Sequence, residues 1–309
     1  MRRFILRILI FSVPFLVLGT FVAAVDPFDC LGISTLVADS VKRESAMPLH
    51  NPLWKLQKYK NKPVSRIILG DSSVALLNTD EIRGATGHQY FNFAYGGGTL
   101  PEAVDTYWFA KSKGRLDAVY IGIGLINFNA YQNLNRVPEA EAMLSNPLKY
   151  LTNRIVVGAA FLSAYSAWTH HKVAIGVPNV SHEAFWRQQI DESLSQLLHE
   201  YQYPAESARK LQEVAADCRR NATHLVIVIP PTHMELQSKI VALGRGADVD
   251  RFKEFVANLG TVYDMDYSND FTKGRGNFSD PFHTMTDEVM VAEVWGNRQQ
   301  YSRHLAPRN

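Results

Sequence analysis

Ser65-Arg66-Ile67-Ile68-Leu69-Gly70-Asp71-Ser72-Ser73, followed at once by Val74-Ala75-Leu76-Leu77, holds the decisive pattern of this chain. A short apolar run with β-branched residues ends in a glycine, and a helix-like pattern begins directly after Asp-Ser-Ser. That is a strand, a tight turn and a helix start with a hydroxyl at the junction. In such a place a nucleophile is exposed and an anion meets unpaired helix N–H groups. Ser72 is the candidate nucleophile. Taken alone, the stretch also reads as an ordinary turn with an Asp or Ser helix cap.

Outward from this point the alternation continues. Apolar runs predict strands at 66–69, 89–93, 118–123, 224–229 and 261–263, and helical patterns fall at 74–83, 100–113, 183–199, 205–221 and 249–259, with a final helix at 286–295. Short apolar strands interleaved with helices predict an α/β fold: a mostly parallel sheet covered on both faces, with ligands outside the carboxyl ends of the strands. The interval 130–203 is the least legible and reads as an insert. It contains Phe161-Leu162-Ser163-Ala164-Tyr165-Ser166-Ala167-Trp168, which reads as a helical cap over the site, a membrane-facing patch or core, with core packing favoured.

Before this domain, Met1-Arg2-Arg3 leads into an apolar run at 4–25 broken only by Arg7. Roughly 20 such residues span a bilayer, and Arg7 sits near enough to the end to snorkel. The positive flank places the N-terminus in the cytoplasm and the remainder outside. A cleaved signal peptide competes, with Val22-Ala23-Ala24 as its processing site, but the length of the run favours an uncleaved anchor. Residues 26–63 carry Pro27, Pro48, Pro52 and Pro63 without a sustained period and read as a juxtamembrane connector, leaving 64–309 as the catalytic-type domain.

The 309 residues are 46% hydrophobic and 20% charged with a net charge of +2, enough apolar material for a large core. The charge is too small for a generalised polyanion footprint, so nucleic acid is not an expected partner. Cys30 and Cys218 make no disulfide framework or metal spacing; they could pair in an oxidising compartment, but Cys218 falls on the apolar side of a helical run and reads first as a packed small hydrophobe. His170, His171 and His182 match no metal motif; no metal and no cofactor are expected. Sequons at Asn179, Asn221 and Asn277 carry meaning only in a host that glycosylates.

Four blocks bear chemistry. After Gly70-Asp71-Ser72 comes Asn92-Phe93-Ala94-Tyr95-Gly96-Gly97-Gly98-Thr99, whose glycines admit close approach of backbone N–H groups or simply make a flexible loop. Gly124-Leu125-Ile126-Asn127-Phe128-Asn129 follows the third strand and offers a side-chain amide to a developing oxyanion, or a turn cap. Asp280-Pro281-Phe282-His283 precedes the final helix, and its spacing brings a carboxylate and an imidazole to one point from a single stiffened turn.

In combination and in this order, the four blocks resemble the SGNH, or GDSL, hydrolase superfamily. The resemblance implies a three-layer α/β/α domain in which Ser72 is nucleophile, His283 general base and Asp280 its orienting acid. The oxyanion hole would comprise the Ser72 N–H, the Gly97 N–H and the Asn127 side chain. Asn92, Gly97 and Thr99 match the family's second block, whereas Ala94 replaces its first glycine. The third block departs in spacing and carries Phe128 where an acid is usual, which leaves Asn129 as the alternative amide; Asn129 and His233 are further candidates for the substrate pocket, although His233 reads first as a surface residue. The anchor adds a likeness to exported members that work beside membrane-bound O-acyltransferases, such as D-alanyl-lipoteichoic-acid transfer and alginate O-acetylation proteins. The implied activity is acyl transfer to, or ester hydrolysis from, a cell-envelope or exported polysaccharide. A non-catalytic accessory domain and a free-standing lipase-like esterase are the alternatives.

Overall fold

In the computed structural model, which describes residues 1–34, 36–171, 181–296 and 298–306, six strands form the main sheet. In chain order the elements begin with helices α1 (Arg2–Val25), α2 (Asp39–Ser45) and α3 (Asn51–Asn61), then strand β1 (Arg66–Leu69), α4 (Ser72–Ala75), α5 (Thr79–Thr86), β2 (Phe91–Asn92), α6 (Leu100–Lys113) and β3 (Ala118–Gly122). Next come α7 (Val137–Ser145), α8 (Pro147–Thr152), α9 (Arg154–Thr169), α10 (His182–Gln188), a π-helical turn (Gln189–Ser193) and α11 (Leu194–His199). The chain continues with α12 (Ala205–Arg220), β4 (His224–Ile229), α13 (Met234–Ala242), α14 (Gly246–Ala257), β5 (Thr261–Asp264), α15 (Asp270–Lys273), β6 (Phe278–Asp280), β7 (His283–Thr284), α16 (Glu288–Val294) and β8 (Arg303–His304).

The chain forms two compact units, one from Met1–Asn61 with Arg136–Pro178 and the other from Lys62–Asn135 with Asn179–Asn309. The second unit holds the sheet, ordered β2-β1-β3-β4-β5-β8. β1 to β5 are parallel, and β8 runs antiparallel beside β5. In register, Ile68 lies opposite Tyr120 and Tyr120 opposite Val226. These residues share one face with Val228 and meet Met290, Val291, Val294 and Trp295 around α16, together with Ile82 of α5. The alternate residues Ile67, Val119, Ile121 and Ile227 are buried as well, and α6 and α12 pack on β1 and β4. A sheet covered in this way needs near-continuous apolar strands, which is why the runs were legible.

Differences from the expected elements have local causes. The helix expected at 74–83 is two helices, because the Asn78 side chain accepts hydrogen bonds from the N–H groups of Asp80 and Glu81 and starts α5 afresh. β2 is only two residues long, and the Asn92 side chain accepts from the Ala94 N–H at 2.9 Å, an Asx-type turn directly after it. The helix expected at 183–199 is interrupted by the π-helical turn. Asn179 and Val180 of the first sequon lie outside the described residues, as does the 172–180 part of the insert.

In the first unit, α1 is long and apolar enough to cross a membrane. It ends at Asp26, which adopts a left-handed φ of 43°. The buried Asp26 carboxylate accepts from the N–H groups of Cys30, Leu31 and Gly32, each at 3.0 Å, and from the Tyr150 hydroxyl at 2.7 Å. The 26–63 segment therefore contains α2 and α3 where the sequence shows no sustained period. Leu53, Trp54, Leu56 and Tyr59 are all buried, a distribution too broad around the α3 helix for a single apolar stripe to announce it. α3 packs on α7 and α2 on α9, the latter joined by a 2.7 Å hydrogen bond between Ser45 and Ser163. Both cysteines are free, and Cys218 is buried.

Candidate active site

β1 delivers Gly70 to the carboxyl edge of the sheet. Gly70 has φ +144°, and a Cβ there would lie 2.6 Å from the carbonyl oxygen of Gly122, so only glycine fits. Asp71 caps α4: its Oδ1 accepts from Ser73 N–H at 2.9 Å and from Ser73 Oγ at 2.5 Å. The cap thus occupies the hydroxyl of Ser73 and separates the two serines by role. The far end of α4 is held by Asn92 Nδ2, which donates to the Val74 carbonyl at 2.8 Å.

Beneath the turn, a Cβ on Gly98 would come 2.6 Å from the Gly70 carbonyl oxygen and 3.1 Å from Asp71 Cα. Both are backbone atoms that cannot swing aside. Gly98→Ala is expected to cost about 1–3 kcal/mol by overpacking, read as a lower denaturation midpoint, and to displace the Ser72 turn. An unchanged midpoint would show that the turn has slack.

The β6–β7 hairpin supplies the other side chains. His283 Nε2 lies 2.8 Å from Ser72 Oγ, and His283 Nδ1 lies 2.9 and 2.8 Å from the two carboxylate oxygens of Asp280. Asp280 Oδ1 also accepts from the N–H groups of Phe282 and His283, at 2.8 and 3.1 Å, so the turn fixes the carboxylate before the imidazole uses it. Burial pushes the His283 pKa down, but the hydrogen bond and charge of Asp280, with the charge of Asp71, outweigh it and raise the pKa above the ordinary histidine value.

The backbone N–H groups of Ser72 and Gly97 have no protein acceptor among the described residues. Asn127 Nδ2 donates to the Gly98 carbonyl at 3.0 Å; an amide has two N–H bonds, so the other is left for a ligand. Asn129 does not join this cluster; it lines a neighbouring cavity of about 500 Å³ with Tyr131, Gln132 and Leu197. It is buried, donates to the Leu197 carbonyl at 2.9 Å and accepts from the N–H groups of Tyr131 and Gln202, which makes it a strut for the chain around it. His233 is also not in the cavity and not on the surface. It is 3% exposed, with its ring between Trp186 and Phe278 at 5.0 and 5.5 Å. Its backbone N–H donates to the Pro281 carbonyl at 3.0 Å, so it buttresses the hairpin that carries Asp280 and His283. Burial, against the charge of Glu235, pushes its pKa down.

No family model and no curated protein matches the chain.

A cavity of about 240 Å³ opens over Ser72, His283, Gly97 and Asn127, with Leu125, Leu236, Ile240 and Val249 among its apolar walls. Four polar residues outside the four blocks also line it: Gln132, Gln189, Thr232 and Asp266. Gln189 opens the π-helical turn, a feature that pattern reading does not detect. Asp266 was detectable as a carboxylate just past the end of β5. Its Oδ1 accepts from Thr232 Oγ at 2.5 Å and from Gln237 Nε2 at 3.1 Å. Burial raises its pKa, against the lowering effect of Lys253 and Thr232. Among the described residues no group of three His, Cys, Asp or Glu side chains is arranged to hold a metal ion.

Chemically, a neutral His283 that donates Nδ1–H to Asp280 presents its Nε2 lone pair to the Ser72 hydroxyl. Ser72 Oγ can then attack an electrophilic carbon while its proton passes to Nε2, and nearby N–H groups can receive the developing negative charge.

Proposed function

We propose that this chain is an SGNH-type serine esterase or O-acyltransferase with a three-layer α/β/α domain. It is anchored by α1 in the cytoplasmic membrane with the domain outside, and it acts on acyl esters, O-acetyl esters foremost, of a cell-envelope or exported polysaccharide. The observation that carries the reading is the hydrogen-bonded chain Ser72 Oγ, His283 Nε2, His283 Nδ1, Asp280. The exported setting rests on α1 and on Arg2 and Arg3 at its start. A membrane-bound O-acyltransferase is the partner class that would load the acyl group.

In this mechanism Ser72 Oγ bonds to the acyl carbonyl carbon as His283 takes its proton. The tetrahedral oxyanion is held by the N–H groups of Ser72 and Gly97 and by Asn127. Collapse breaks the ester C–O bond, and His283 returns the proton to the departing alcohol. Water or a sugar hydroxyl then attacks the acyl-enzyme, again deprotonated by His283, and Ser72 leaves with the proton.

A fluorophosphonate probe tests the reading. It should form an adduct on Ser72, mapped by peptide mass; labelling confined to other residues would refute a serine-hydrolase site. Asn127→Ala is expected to lower kcat on an aryl acetate about 10²–10³-fold with little change in KM. Unchanged turnover would remove Asn127 from the oxyanion hole.

A further inference from the structure

The outward face of α9 is unlike that of a helix meeting water. Arg154, Gly158, Phe161, Tyr165 and Trp168 are its exposed stripe, at spacings of three and four that keep one face. Phe161 is 55%, Tyr165 50% and Trp168 82% exposed. The opposite face, Val156, Ala159, Ala160 and Ser163, is buried. From 155 to 169 there is no charged residue. An apolar stretch of this length belongs to a buried core helix or to an interfacial or re-entrant one, and exposure of its aromatics excludes the core reading favoured by the sequence.

The direction of α9 decides between the alternatives. Tyr150, in α8 just before it, hydrogen-bonds Asp26 at the end of α1. Farther along, the Phe161 ring meets Phe21 at 4.7 Å. As the chain runs from 150 to 161, its contacts on α1 move back from 26 to 21, so α9 runs antiparallel to α1. The covered residues of α1, Leu18 and Gly19 in part and Val22 and Val25 fully, follow the same side. At about 1.5 Å per residue, Trp168 lies roughly 10 Å beyond Phe161 toward the N-terminal part of α1. That depth is level with the middle of α1, in the hydrocarbon below the headgroups.

We propose that α9 is a second membrane element: its Phe161, Tyr165 and Trp168 stripe is immersed in the lipid of the outer leaflet beside α1. The occupant of this face is lipid, because the stripe is continuous with the lipid-facing surface of α1. This proposal rests on α1 crossing the bilayer but not on the esterase reading.

The full-length protein, carrying Cys30→Ser and Cys218→Ser, would be reconstituted in phosphatidylcholine–phosphatidylglycerol vesicles. A nitroxide would be attached in turn at Val13→Cys, Tyr165→Cys, Trp168→Cys and Leu76→Cys, the last an exposed position in the other unit. The ratio of collision with oxygen to collision with a water-soluble nickel chelate reads lipid exposure. Positions 165 and 168 should show a ratio several-fold above that at 76 and approaching that at 13. A lipid-like 13 with water-like 165 and 168 would overturn the proposal and leave the anchor standing. A water-like 13 would overturn both. Shielding of 165 and 168 from both reagents, with dipolar broadening between labels, would show a second copy on the stripe and overturn it. With native thiols kept, brominated phosphatidylcholine should quench fluorescence of the wild-type chain more than that of Trp168→Phe. Equal quenching would count against immersion.

Discussion

Ser72→Ala is expected to remove essentially all turnover, a loss of about 10⁴–10⁶ in kcat for ester substrates, with substrate binding retained. The size follows from what the hydroxyl does in the proposed mechanism: it is the atom that forms the new bond, and no neighbouring group replaces it. Ser73 is the only hydroxyl adjacent in sequence, and Asp71 holds it through the α4 cap. The substitution itself should leave the fold intact, because Ser72 makes its one side-chain hydrogen bond to His283 and its backbone is set by Gly70 and Asp71. Measured side by side, Ser73→Ala should keep most of the activity and lose some stability with its share of the cap. If Ser72→Ala turned over an aryl acetate at the wild-type rate, the nucleophile assignment would be wrong.

The second large effect belongs to Asp280→Asn, expected to lower kcat by about 10³–10⁴. The substitution keeps the shape of the turn but takes away the charge and one of the two acceptors facing His283 Nδ1, leaving the imidazole free to adopt the wrong tautomer. A pH profile distinguishes this from a structural loss. As a base, His283 must be neutral, so wild-type kcat/KM rises as pH climbs through its pKa, which Asp280 and Asp71 hold above about 6.5. Without the Asp280 charge, the burial that already opposes protonation goes largely unanswered and the rise moves to lower pH. The deficit of the variant should therefore be greatest at alkaline pH and shrink on acidification. An acid limb at the same pH in both proteins would show that Asp280 does not tune His283. The stability linkage has the opposite sign: a raised folded-state pKa contributes stability that is complete below about 6.5 and disappears as pH rises through the folded value. Activity thus appears in the range where this contribution to stability fades.

Much of the sheet was legible because buried parallel strands leave no room for polar residues; β4 and α6 were legible to the residue. The break between α4 and α5 was also written in the chain, as Asn78 ahead of Asp80 and Glu81, but the apolar run across 74–77 masked it. Other parts depended on distant partners. His233 looks like a surface histidine until Trp186 and Phe278, from segments far away in sequence, close over it. Asn129 looks as available as Asn127 until Leu197, Tyr131 and Gln202 occupy its amide. Helix α3 buries apolar residues around much of its circumference and α2 is tied through Lys42 to Asp29, neither of which a simple periodicity foretells. The aromatic stripe of α9 has core composition, and only its exposure sets it apart.

The interleaving of the two units governs how the chain must assemble. Segment Met1–Asn61 is made first, but its complement, Arg136–Pro178, follows only after the intervening Lys62–Asn135. At about 5–20 residues per second, translation of that interval takes roughly 4–15 s. During that delay the buried Asp26 carboxylate lacks the Tyr150 hydroxyl, and β3, made toward its end, still lacks β4. Neither unit can close while the nascent chain is short. Deleting residues 1–61 to obtain a soluble protein would accordingly remove more than half of one unit and leave α7, α8 and α9 with their apolar faces uncovered.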